Sequence, residues 1–385
     1  MKKILKKLHL YLALIFCLPL IIQGLSGSIL VFRSEISDFI LRQNYQFSKG
    51  EIRPVSEIIS TAQNFTKQNF PDEENSINVL KIPYKNSQAA IVRLVNKDKK
   101  LNRDIFIDPV SLKIIKIRKV TENFFYLVKK FHTNLLIENS QIATFIGCYG
   151  FILLFLAISG IVLWWPKLKN FTRSIKFNFQ VNGVAFHRVL HKTLGFWSFI
   201  ILIIISLTGI YLAFPKNTSS VINTVFNNHI PNQDINIEPQ KISKKFAREF
   251  NIENAINISK AEVEKSSQNI RLLSINFPQK PDQPFRFNFI KENYYRGEPP
   301  IIVFFDQSQQ KIINIKNPAD YNLAEKIISW QHTLHAGEGL GIIWQVIIFL
   351  TGFLPIIFTI TGIKMWMSKT KKPINTKNEF FIGKS

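Results

Sequence analysis

The chain has 385 residues, of which 46% are apolar, 19% are charged and 34 are phenylalanine; its 49 Lys and Arg against 26 Asp and Glu give a formal net charge of +23. That composition excludes intrinsic disorder, a collagen-like repeat and, with only two cysteines, a disulfide scaffold. A basic excess of this size points to nucleic acid or to a membrane surface, and the positions of the charges decide between them.

The apolar residues gather in four blocks, Leu8–Phe32, Ile142–Trp165, Thr193–Phe214 and Ile342–Trp366. A hydrocarbon core takes about 20 apolar residues, so each block is long enough to cross one. Lys364, two residues from the end of the fourth block, is the only charge in any of them. The sequence therefore predicts a membrane protein with four transmembrane α-helices over 8–32, 142–165, 193–214 and 342–366. Four lysines in Met1–Lys7 precede the first block in the manner of a signal peptide. The block is longer than a signal core and has no small-residue cleavage site before Arg33, so it reads as a retained helix.

Segments 1–7, 166–192 and 367–385 together hold 15 Lys and Arg and one acid, Glu379, whereas 33–141 and 215–341 hold 33 against 25 acids. The positive-inside rule then places both termini and the middle loop in the cytoplasm and both long segments outside. Paired aromatics such as Trp164 and Trp165 fall where an interfacial belt is expected. The basic excess is explained by topology, so the partner is the lipid bilayer and not nucleic acid. Cys17 and Cys148 lie in or beside apolar blocks, which suits neither an exported disulfide nor a metal site.

In chain order, segment 33–141 predicts a helix over Ser56–Asn69 and short strands over Asn78–Ile82, Ala89–Val95, Ile105–Ile107 and Ile114–Ile117, the last two joined across Asp108-Pro109. Segment 215–341 predicts a helix over Ile256–Ser266 and strands over Leu272–Phe277, Phe285–Ile290, Ile301–Phe305 and Lys311–Ile315, with Asp306-Gln307-Ser308 at the last turn. Each reads as a small α+β module. The stretches FIDPVSLKIIKI and VFFDQSQQKIINI echo one another.

The apolar blocks share a stronger regularity. Each ends in a small pair ahead of apolar and aromatic residues: Ser26-Gly27, Ser159-Gly160, Thr208-Gly209 and Thr361-Gly362. Small residues let helices, or a flat ligand, approach the backbone, and plain helix packing is the alternative. Histidine adds a second pattern. His9 precedes Gly27 by 18 residues and His191 precedes Gly209 by 18, while His132 precedes Gly160 by 28 and His335 precedes Gly362 by 27. Residues 1–166 and 183–367 thus read as two copies of one unit of helix, outward module and helix.

With the topology above, His9 and His191, and His187 one turn earlier, fall at the cytoplasmic helix ends. His132 and His335, with His332 beside the latter, fall at the outer ends. Eighteen helical residues rise about 27 Å, so the two groups occupy opposite leaflets. A span of 28 is too long for the bilayer core, which puts His132 on a short segment before the second helix. Lone histidines at helix ends are ordinary interfacial residues, but a two-plus-two arrangement beside small residues suits the axial positions of two b-type haems. No Cys, Asp or Glu joins either group in the way zinc or iron sites need, and Glu338, the one acid nearby, is a candidate to orient His335. No CxxCH motif for covalent haem is present.

The runs LHLYLALIFCLPLIIQGLSGSILVF, FHTNLL with GIVLWWPK, LHKTLGFWSFIILIIISLTGIYL, and LHAGEGLG with ITGIKMW resemble the PepSY-associated transmembrane helix family. That family includes iron-regulated bacterial inner-membrane proteins and siderophore reductases of the FoxB/PiuB type. The resemblance implies a multi-pass protein of the bacterial inner membrane, with PepSY-like modules on the periplasmic side. It also implies a haem-dependent oxidoreductase for ferric siderophores or other iron chelates. The family histidines map onto His9, His132, His191 and His335, with His187 and His332 additional. No GxGxxG nucleotide motif occurs, so the electron donor is expected to be a quinol or a separate cytoplasmic reductase. Two other functions fit the sequence: a PepSY protein that binds and restrains a periplasmic partner while its helices only anchor it, and a metal or siderophore permease. A permease would use broken or charged helices near the midplane, where Gln23, Gln345, Pro19 and Pro355 are the candidates.

Overall fold

The computed structural model of the chain describes residues 1–83, 88–226, 250–294 and 296–370. His229, part of the second outward segment and most of the expected tail 367–385 lie outside the described residues. In chain order, α1 (Lys2–Val31) passes through Phe32 into α2 (Arg33–Asn44), followed by α3 (Val55–Asn69). Next come β1 (Ser76–Lys81), β2 (Ala90–Val95), β3 (Arg103–Ile107), β4 (Ile114–Lys119), α4 (Phe124–Asn134) and α5 (Ser140–Trp164). After the short α6 (Phe171–Ser174), α7 (Gly183–Ala213) continues into α8 (Pro215–Val225). Then follow α9 (Ile252–Glu264), β5 (Ile270–Asn276), β6 (Phe285–Lys291), β7 (Ile301–Asp306), β8 (Lys311–Lys316), α10 (Leu323–His335), α11 (Gly341–Thr351) and α12 (Leu354–Thr370).

Four helical stretches are long and apolar enough to cross a membrane: α1, α5, α7, and α11 with α12. The third begins at Gly183, ten residues before the apolar block that announces it, because nothing between Gly183 and Thr193 breaks a helix. His187 and His191 therefore ride on α7 itself rather than on a cytoplasmic loop. The fourth stretch is not one helix. It is interrupted at Gly352 and Phe353, where the Phe353 amide bonds the Leu350 carbonyl instead of that of Phe349.

The interruption sits where helix one crosses. A Cβ on Gly24 would lie 2.3 Å from the Gly352 carbonyl oxygen, and one on Gly352 would lie 2.0 Å from Ser28 Oγ. The Ser28 hydroxyl donates at 2.7 Å to the Phe349 carbonyl that the break leaves free. An apolar environment cannot satisfy such a carbonyl, so the break needs this donor. Pro355, in the first turn of α12, has no amide to lose there. On the other side of the bundle, α5 and α7 approach as closely: a Cβ on Gly147 would meet Ala213 at 2.5 Å, and one on Gly150 would meet Ile210 at 2.8 Å.

The eight strands form one antiparallel sheet in the order β4-β3-β2-β1-β5-β6-β7-β8. The two outward segments are thus joined edge to edge, through β1 and β5 with Leu80 opposite Ile275. The sequence shows two modules and gives no sign of this pairing, because any strand edge offers the same backbone donors and acceptors. Alternation places Leu80, Val92, Ile105, Ile275, Phe287 and Val303 on one face, fully buried together with Ile58 and Ala62 of α3 and Val263 of α9. Asp108 and Asp306 close the two hairpin turns, each accepting backbone amides two and three residues on.

Helices α4 and α10, which the apolar pattern does not announce, return the chain from the sheet to the membrane-spanning helices. Each is capped by an asparagine side chain, Asn123 and Asn322, the latter in a reciprocal capping box with Glu325. Replacement of Gly24 by Ala should lower unfolding stability in detergent by about 1–3 kcal/mol, the usual cost of overpacking. Gly195→Ala, where a Cβ meets nothing within 4 Å, should not lower it. Equal stabilities for the two variants in a thermal melt would contradict this packing.

Candidate functional site

Four histidines on four different helices meet the four small pairs, each from a neighbouring helix. His9 Nδ1 lies 2.8 Å from Ser159 Oγ, and His191 Nδ1 lies 2.8 Å from Thr361 Oγ1. His132 Nδ1 lies 2.9 Å from Ser26 Oγ, and His335 Nδ1 lies 2.9 Å from Thr208 Oγ1. The glycine after each hydroxyl residue faces the same ring. A Cβ would approach the imidazole Cε1 at 3.3 Å from Gly27, 3.2 Å from Gly209, 3.5 Å from Gly160 and 4.0 Å from Gly362. The small pairs are therefore histidine seats: the hydroxyl holds Nδ1, and the missing side chain makes room for the ring.

The direction of these bonds follows from counting protons. A hydroxyl has one proton to give. Ser26 donates it to the Ile22 carbonyl at 2.7 Å, Thr208 to Ile204 at 2.7 Å, and Thr361 to Ile357 at 2.7 Å. Ser159 reaches Leu156 at 3.3 Å. With the proton spent on the helix, the oxygens of Ser26, Thr208 and Thr361 accept, so His132, His335 and His191 donate from Nδ1. Nε2 is then left with its lone pair exposed, which is the form a metal binds.

The rings fall into two clusters. His132 and His335 form one, with ring centroids 6.4 Å apart and planes tilted by 56°. His9 and His191, seated on Ser159 and Thr361, form the other, with Phe358 against the His191 ring. Along α1 the clusters are separated by the 18 residues from His9 to Gly27, about 27 Å. Packing strips water from His132 and His335 and pulls their pKa values down to about 4 and about 3, so both are neutral at physiological pH. Among the described residues no three His, Cys, Asp or Glu side chains converge as a metal-binding group. As ligands, each cluster offers two imidazoles among the described residues.

Each cluster also has a buried polar atom without a partner among the described residues. Gln23 Nε2 lies on the face of α1 that carries Ser26 and Gly27, and His187 Nδ1 lies one turn before His191 on α7. His332 is exposed, one turn before His335 on α10. Glu338 does not orient His335, as the sequence had suggested. It is almost fully buried in an ion-pair network that ties the sheet to the bundle, with Arg33 at 2.7 Å and Arg296 at 3.6 Å. Arg296 also bonds Glu35 at 2.8 Å, and Gln345 bonds Glu35 at 2.9 Å and the Val31 carbonyl at 3.1 Å. Gln345 therefore ties helix ends together and is not a midplane polar group.

Two imidazoles with free Nε2 atoms, facing each other at the separation of His132 and His335, would be able to hold one metal ion or haem iron between them. The neutral Nε2 lone pairs, glycine clearances and unpartnered polar atoms fit the same group. The sequence pattern identified the glycines but missed the roles of Ser26, Ser159, Thr208 and Thr361. The available signal was that the residue before the glycine is always a hydroxyl residue, never alanine. The PepSY-associated TM region family matches the chain over residues 6–369. None of the curated proteins matches it.

Histidine-selective 15N NMR of the ligand-free protein should show His132 and His335 as Nδ1-protonated neutral tautomers. Thr208→Ala should release His335 from that form while leaving His132 in it. An Nε2-protonated signal for both residues in the wild type would contradict the proton count.

Proposed function

The chain belongs to the PepSY-associated TM region family, and on that footing we propose that it is a di-haem electron-transfer protein of the bacterial inner membrane that reduces ferric siderophores or related iron chelates on the periplasmic side. The observation that carries this reading is the pair of imidazole clusters, each built from two helices and each with its Nε2 atoms free. His9 and His191 would hold one haem b near the cytoplasmic face, and His132 and His335 a second near the periplasmic face. Bound haem iron supplies one-electron chemistry, which the side chains of this protein lack.

The chain's own residues supply position and tuning. Ser26, Ser159, Thr208 and Thr361 fix the tautomer and ring orientation, and by accepting the Nδ1 proton they raise the basicity of Nε2. Gly27, Gly160, Gly209 and Gly362 keep the ring edges free. His191 and His335 are assigned as ligands over His187 and His332, because only the former have hydroxyl seats. His187 Nδ1, without a partner among the described residues and one turn before His191, would be available to a haem carboxylate. The periplasmic placement of the sheet and cytoplasmic placement of the termini rest on the distribution of Lys and Arg. The two halves, 1–166 and 183–367, are read as copies of one unit, since each contributes one histidine and one seat to each cluster. The electron donor is a quinol or a separate reductase.

The anchor-only reading leaves four matched histidine seats without a purpose. The permease reading gains an interrupted helix at Gly352. That interruption, however, is filled by Gly24 and Ser28.

Substitution of single histidines tests the assignment. His191→Ala should abolish the cytoplasmic-side haem signal in reduced-minus-oxidised spectra, while His187→Ala keeps low-spin haem and shifts its potential. Thr208→Ala should weaken retention of the other haem by about 10–100-fold, as loss of such partners usually does. The reverse outcome, an empty site in His187→Ala and a full one in His191→Ala, would move the ligand by one helical turn. A reporter inserted at Asn96 should be periplasmic; a cytoplasmic one would invert the topology.

A further inference from the structure

The face of the first four strands that turns away from α3 carries charge instead of core. On adjacent rungs of the ladder, Arg93 of β2 pairs Asp104 of β3, and Asp104 pairs Arg118 of β4, while Lys81 stands on β1. With Arg33 and Asp38 of α2 they line a cavity of about 230 Å³ between this face and α2, closed at one end by Phe125 at the start of α4. Four cations face two carboxylates; Arg33 is already paired with Glu338 outside the cavity, and both carboxylates are engaged. Asp38 accepts from Gln88 at 2.7 Å, and Asp104 holds Arg93 with two bonds of 2.7 and 3.0 Å.

That leaves Arg118 short of acceptors. It reaches Asp104 only at 3.5 Å, and its Nε is buried with no partner among the described residues. Lys81 makes no hydrogen bond or ion pair to a described residue, and the Asp104 carboxylate, 3% exposed, cannot serve a third cation. The Arg118 side chain is half-buried, with only its Nε atom shielded from solvent; a shielded donor without an acceptor is costly, and an oxyanion with several acceptor oxygens removes that cost.

The second set of hairpins serves as an internal control. The rungs that correspond to Arg93, Asp104 and Lys81 are occupied there by Asn288, Ile302 and Asn276, and only Arg118 has a basic counterpart, Lys316. The same ladder forms there without the Arg93–Asp104 pair and without Lys81, so the fold does not require those three charges. Their position is also specific. Phe125 precedes His132 by seven residues on α4, and Ser26, the seat of His132, precedes Arg33 by seven. Seven helical residues rise about 10 Å, which sets the cavity one short step from the His132–His335 cluster.

We propose that this cavity binds the carboxylates of a small polyanion. This deepens the reductase reading and rests on it for one point: the reducible substrates would be anionic ferric chelates with carboxylate arms, rather than neutral or cationic ones. The binding itself can be tested without any electron transfer.

The test uses the purified full-length protein in phosphatidylcholine nanodiscs and iron-free citrate as the probe, measured by titration calorimetry. Citrate should bind the wild type, and Lys81→Gln and Arg118→Gln should each weaken it by about tenfold, the effect of one charge-assisted hydrogen bond. Asp104→Asn, which removes the competing carboxylate, should tighten binding, a gain that a purely structural ion-pair cluster would not give. Should one variant fail to fold, Asp104→Asn and the other still decide. The proposal is overturned if citrate does not bind. It is also overturned if binding is unchanged by all three substitutions, or if a second set of nanodiscs, with part of the phosphatidylcholine replaced by phosphatidylglycerol, no longer binds citrate. A protein with full haem content and no citrate binding would sink the cavity alone; citrate binding by a protein that never takes up haem would sink the reductase reading alone.

Discussion

The hydrogen bond from an imidazole Nδ1 to a serine or threonine hydroxyl, made four times between helices, is the interaction on which the arrangement depends. Each bond couples two requirements of a membrane interior. The hydroxyl must place its proton on a carbonyl of its own helix, and the histidine must lose one nitrogen to a partner before the other can serve a metal. Because the donor helix and acceptor helix differ in every case, the same bonds that set the tautomers also set which helices are neighbours. His9 joins α1 to α5, His132 joins α4 to α1, His191 joins α7 to α12, and His335 joins α10 to α7.

Such seats work only if the helices come close enough. Lipid tails compete with side chains for apolar contact, so close approach in a membrane comes from small residues and backbone polar pairing. Gly24 against Gly352 and Gly147 and Gly150 against α7 provide it, at distances where any Cβ would collide. At the membrane surface the work passes to charge. The buried Glu338, shared by Arg33 and Arg296, fixes the loop after β6 and the turn after α10 to the end of α1. The short α4 and α10, which carry His132 and His335, are thereby held between sheet and bundle.

Much of this was legible in the sequence, and the rest was not for physical reasons. The four apolar blocks and nearly every strand could be read because length, hydropathy and alternation are local properties. Leu272–Phe277 and Phe285–Ile290, for example, fall within a residue or two of β5 and β6. The histidine-to-glycine spacings singled out the four histidines and four glycines that meet between helices. The spacings could not show that Ser26 holds His132 instead of packing its own helix, since a hydroxyl's partner is a tertiary fact. Nor could they show that β1 and β5 join two modules into one sheet, or that the fourth helix breaks at Gly352. Those depend on a surface the local sequence does not contain. Glu338 was misread for the same reason: proximity in sequence to His335 suggested a partner, and three-dimensional packing gave it two arginines.

The central claim is that the four seated histidines hold two b haems, each between two imidazoles. Electron paramagnetic resonance of the oxidised, purified protein, combined with a pyridine haemochromogen count, tests it most directly. The account predicts two non-covalent haems per chain, both low-spin ferric with the signature of two imidazole ligands. A protein from haem-replete cells that carries no haem, or one whose haem is high-spin with a single histidine ligand, would contradict it.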